Sequence, residues 1–94
     1  MIKLDAKFYG EIRKAKDDSI VPEDEWIVFL AKDNCVPSLL ALYKQLLRDR
    51  KAGQAQIDAV QRMLDRVIWW QEQHPEKVKV ADIDPGEKLL ENGK

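Results

Sequence analysis

The stretch PEDEWIVFLAKDNCVP, Pro22 to Pro37, decides the fold class of this chain. Two readings compete for it. As a helix, Pro22 stands at the first helical position, where a missing N–H costs nothing, and Glu23, Asp24 and Glu25 lie by the positive end of the dipole. As a strand, Glu25–Ala31 is a short run rich in Trp, Ile, Val and Phe, bounded by polar clusters. The strand is favoured, because a new helix begins a few residues on and a strand ending near Lys32 leaves room for its cap. The chain is then α+β: a short antiparallel β-sheet packed on an antiparallel helical hairpin. The helical reading makes it all-α, with three helices.

On the C-terminal side, stepping 100° per residue from Val36 puts Leu39, Leu40, Tyr43, Leu46 and Leu47 in one stripe, with Lys44, Gln45, Arg48 and Asp49 on the other side. Pro37 is tolerated in a first turn, so Asp33 or Asn34 is the expected N-cap. Gly53 is the expected left-handed residue that ends this helix. A second helix is expected over 55–73, with Ile57, Val60, Leu64, Val67 and Ile68 in its stripe. His74-Pro75 ends it. Only four residues separate the helices, which predicts an antiparallel hairpin with Leu40, Tyr43, Leu47, Leu64 and Ile68 in its core.

On the N-terminal side, IKLDAKFY alternates with the period of a half-buried strand, and Ile12 keeps its inward parity. KAKDDS reads as a solvated turn. Beyond Pro75, KVKVADI alternates and is expected to add an edge strand. One domain over 1–83 and a frayed tail over 84–94 complete the expectation.

Composition narrows the function. The chain has 94 residues, 16 Lys and Arg against 17 Asp and Glu, one His and one Cys. The near-neutral balance gives no bulk reason to expect nucleic acid or a membrane as partner. Lys44, Arg48, Arg50, Lys51, Arg62 and Arg66 are basic, but Asp49, Asp58 and Asp65 interrupt their rows. WIVFLA is far too short to cross a bilayer and the N-terminus lacks a signal-peptide core, so the cytoplasm is the expected location. With one cysteine, no intramolecular disulfide and no Cys-rich zinc site exist. No Gly-rich phosphate loop and no calcium-loop spacing are present. Cys35 reads as a buried structural thiol and His74 as a helix-terminal or solvated residue. No catalytic, metal-binding or cofactor-binding residue is expected, and the chain is read as not an enzyme.

Two clusters remain. Lys32, Asp33 and Asn34 form a polar trio that is either a cap and chain reversal or the rim of a site. Arg62, Arg66 and Trp69 share the outer face of the second helix. Either another part of the monomer covers Trp69, the favoured reading, or the three make a partner surface, since Trp and Arg are typical of binding hot spots.

EWIVFLAKDNCVPSLLALY, a second helix carrying VIWWQ, and KVKVADI together resemble a loosely defined group of small bacterial and phage-associated proteins. In that group an apolar run ends in a basic-polar-Asp motif before a Leu-rich helix. The resemblance covers roughly residues 25–83. It implies that Lys32 and Asp33 belong to the pattern of the fold, and that a phage or mobile element encodes the chain. It carries no activity and no cofactor. The expectation is a small non-catalytic protein–protein interaction module, with a second copy of the chain among its candidate partners. The alternatives are a nucleic-acid accessory protein and, more distantly, a small enzyme with a pocket lined by Lys32, Asp33 and Tyr43.

Overall fold

The computed structural model describes residues 7–82. The chain divides into two compact units, Met1–Val28 with Asp82–Lys94 and Phe29–Ala81. The first carries a two-stranded antiparallel sheet and the second a helical hairpin, so the fold class is α+β.

Strands β1 (Ile12–Arg13) and β2 (Ile20–Val21) pair Ile12 with Val21 and Arg13 with Ile20. KAKDDS is the turn between them. Lys14 N–H donates to the Ser19 carbonyl at 2.8 Å and Asp18 N–H to the Lys14 carbonyl at 2.9 Å. Asp18 takes φ 63, a left-handed conformation that Asp tolerates better than most residues. Asp17 Oδ1 accepts from the Ser19 hydroxyl at 2.6 Å and from Ser19 N–H at 3.0 Å. The hydroxyl first and the N–H second hold the Asp17 carboxyl below its ordinary value. Arg13 closes the turn through the Asp18 carbonyl at 2.8 Å and pairs with Glu11 at 2.7 Å.

The strand expected at Glu25–Ala31 does not form, and neither does the competing helix. Glu23–Glu25 is a single 3-10 turn, and Trp26 leaves it extended, with φ −126 and ψ 155. Burial then alternates as in a strand, with Trp26 and Val28 half-buried and Ile27 and Phe29 exposed. The missing part is a ladder partner among the described residues. An extended segment without one is not a strand. The strand expected at Ile2–Phe8 lies mostly outside the described residues, and Lys7 and Phe8 are not in a strand. KVKVADI contributes one parallel bridge, Lys79 with Asp33, rather than an edge strand. The expected tail at 84–94 lies outside the described residues.

Helices α1 (Val36–Asp49) and α2 (Gln54–Gln73) pack against each other. The left-handed residue that ends α1 is Lys51, with φ 60, and not Gly53. Ala52 N–H reaches the Leu47 carbonyl at 2.8 Å and Lys51 N–H the Arg48 carbonyl at 3.0 Å, the paired bonds of a Schellman closure. Gly53 is extended instead and stands at the N-cap of α2, where its carbonyl accepts from Gln56 and Ile57. The short connection needs its reversal two residues before Gly53, so Lys51 takes a conformation that a glycine adopts without strain.

The buried core is Val36 from α1 and Ile57, Val60, Leu64 and Val67 from α2, with Val60 fully enclosed at 0% exposure. Each such side chain contributes roughly 1.5–3 kcal/mol. Leu64 is core, as its spacing predicts. Leu40 and Leu47 are half-buried, whereas Tyr43 and Ile68 are exposed. One helix neighbour covers a stripe about 100° wide; α2 sits over the Leu40–Leu47 side of the α1 stripe, which leaves Tyr43 at its middle uncovered, and Ile68 lies at the edge of the stripe of α2.

Candidate functional site

Three surfaces are candidates, and the Lys32–Asn34 trio is the most strongly tied of them. Asp33 Oδ1 accepts from Cys35 N–H at 2.8 Å, and the Asp33 carbonyl accepts from Val36 N–H at 3.1 Å. This bond of an Asp to the amide two residues on shapes a turn, and Cys35, not Asp33 or Asn34, occupies the cap position of α1. Asp33 Oδ1 is taken by the Cys35 N–H, ahead of the first helical residue Val36. Lys79 N–H donates to the Lys32 carbonyl at 3.1 Å, and Asn34 N–H donates to the Lys79 carbonyl at 3.0 Å. Gln71 of α2 donates through Nε2 to the carbonyls of Ala31 at 2.8 Å and Asp33 at 3.0 Å. One glutamine therefore ties this loop to the last turns of α2. These bonds account for the trio as structure.

Cys35 is exposed, not buried, with Sγ 3.5 Å from Asn34 Oδ1. The apolar neighbour that suggested burial, Val36, points into the core alone, because consecutive helical positions do not share a face. His74 terminates α2, stacks on Trp70 with ring centroids 4.2 Å apart, and bonds through Nδ1 to the Trp70 carbonyl at 2.9 Å. That makes it a helix-ending residue with a packed ring.

Arg62, Arg66 and Trp69 are all exposed, and Trp69 is 58% accessible. Coverage of Trp69 within the monomer is thus corrected. The helix turns this residue roughly opposite the α1-facing stripe. No ring contact joins Arg66 to Trp69 among the described residues.

The third surface is an edge of α1. Leu39, Leu42, Tyr43 and Leu46 are 39%, 58%, 43% and 40% exposed and lie on one edge of the helix. The opposite edge is fixed by Lys44, whose Nζ bonds to Gln61 Oε1 of α2; Gln61 in turn donates to Asp65 at 2.8 Å. With Lys44 turned to one side of the α1–α2 seam, the leucine edge falls on the other. Met63, on the side of α2 away from Gln61, is also exposed. The signal was the width of the stripe: counting Leu42, the apolar sector of α1 spans about 160°, more than a single neighbour covers.

The chemistry of these surfaces is plain. Among the described residues no group of three His, Cys, Asp or Glu side chains is placed to hold a metal. No helix among them is long and apolar enough to cross a membrane. No protein-family model matches the chain, and neither the curated proteins nor the solved structures contain a match to it.

Proposed function

We propose that this protein is a non-catalytic protein–protein interaction module whose contact surface is the leucine edge of α1. One observation carries the reading: Leu39, Leu42, Tyr43 and Leu46, at spacings of three, one and three residues on one edge of α1, are all exposed. Scattered exposed leucines need no explanation, but a contiguous patch on a small domain marks an interaction site. Spacings of three and four residues are those by which one helix presents a face to another. The Lys32–Asn34 trio adds no competing chemistry, because its backbone and the Asp33 side chain are committed to holding the loop.

The test is retention of host proteins on the immobilised full-length chain at physiological salt. Leu42→Gln is expected to abolish specific retention, and Trp69→Ala to leave it unchanged. Retention lost with Trp69→Ala and kept with Leu42→Gln would move the surface to the Arg62–Arg66–Trp69 face. Retention of nothing, together with no self-association, would remove the interaction reading.

A further inference from the structure

We propose that the protein carries a built-in opening motion: the β1–β2 hairpin opens and closes in the native protein while the helical hairpin of Phe29–Ala81 stays folded. The inference concerns the two compact units and does not rest on the leucine edge being an interaction surface.

The core sits in one unit. Val36, Ile57, Val60, Leu64 and Val67, the buried side chains, all lie within Phe29–Ala81. Among residues 7–28 none is buried. Removing apolar surface from water is the dominant favourable term of folding. The helical unit therefore has its own source of stability, and the described part of the other unit has little. A two-stranded hairpin is marginal in water by itself. Its side chains are exposed as well: Ile12 is 39% and Ile20 53% accessible, and the Arg13–Glu11 pair lies in water, where such pairs contribute little. Trp26 adds a cost to the closed form. Its indole N–H is buried without an acceptor among the described residues, and an opening that reaches Trp26 returns it to water.

The ends of the helical unit are held from within. Asn34 N–H donates to the Lys79 carbonyl at 3.0 Å and Lys79 N–H to the Lys32 carbonyl at 3.1 Å. Gln71 ties the Ala31 and Asp33 carbonyls to α2. These bonds join the beginning of Phe29–Ala81 to its end, so closing the unit calls on nothing before Phe29. The chain that enters it is the reverse case. Trp26, Ile27, Val28 and Phe29 make no backbone hydrogen bond among the described residues. Opening on the N-terminal side therefore stops at a stretch with no ladder to break, and proteins open in such contiguous units.

Native-state hydrogen exchange on the full chain, in a series of urea concentrations below the unfolding transition, tests this. The Lys14 and Asp18 amides, both bonded within the hairpin turn, report on the first unit. The amides of Val60, Leu64 and Val67 in the middle of α2 report on the second. Relative to unstructured peptide, the hairpin amides are expected to exchange at least about a hundredfold faster than the α2 amides. Their rates should also rise less steeply with urea, because the slope scales with the surface exposed on opening. Ile20→Gly, which weakens β2, should speed the Lys14 and Asp18 amides at least about threefold and leave the α2 amides within about twofold. A common protection and a common urea slope for hairpin and helix would mean one cooperative unit and overturn the proposal. So would an equal acceleration of the α2 amides by Ile20→Gly. Hairpin amides with no protection at all overturn it too, since nothing would then close.

Discussion

Helices α1 and α2 are both amphipathic, yet they use their apolar faces differently. The longer, less apolar α2 buries Ile57, Val60, Leu64 and Val67, while the leucine-rich α1 buries Val36 alone. The cause is geometric. The four buried residues of α2 fall within about 80° of one another and point at α1. The apolar sector of α1 is wider than α2 can cover, so Leu40 and Leu47 are half-buried at the seam and Leu39, Leu42, Tyr43 and Leu46 remain in water. Hydrophobicity says how much a helix has to bury; only its neighbours say how much it buries.

The largest expected effect tests that contrast directly. Leu64→Ala removes a core side chain and should cost about 2–5 kcal/mol in a denaturant melt. Leu42→Ala, measured at concentrations too dilute for association, should cost under about 1 kcal/mol, since more than half of that residue is already exposed. Equal losses would mean that the leucine edge is core, and the comparison would collapse.

Next in size is Gln71, the glutamine that ties the Ala31–Asp33 loop to α2. Gln71→Ala deletes two hydrogen bonds and frees the Ala31 carbonyl, so a loss of about 1–3 kcal/mol is expected. Hydrogen exchange should quicken at Asn34 and Lys79, whose N–H groups lie in the bridge beside it. Unchanged exchange there would show that the bridge holds without its clasp.

The smallest effect is a gain. Lys51 sits at φ 60 between the two helices, a conformation costing a non-glycine residue on the order of 1 kcal/mol. Lys51→Gly relieves it but gives up unfolded-chain entropy, so a net stabilisation of about 0.5 kcal/mol is expected as a raised melting temperature. A lowered one would show that the Lys51 side chain contributes packing that its backbone strain conceals.

The sequence alone determined the helices. Their periodicity, the Pro in the first turn of α1 and the His-Pro end of α2 are local signals, and local signals set where a helix can run. KAKDDS is legible for the same reason, since Asp17 and Asp18 build the turn from their own neighbours. What the tertiary structure decided is pairing and coverage. Whether Glu25–Ala31 is a strand depends on a partner that its own residues do not name. What ties the backbone of the Ala31–Asn34 loop is Lys79 and Gln71, about forty residues or more away in sequence. Whether Trp69, Cys35 and the leucine edge of α1 are buried depends on what lies across from them. Burial is a relation between surfaces, and a single segment carries only one side of it.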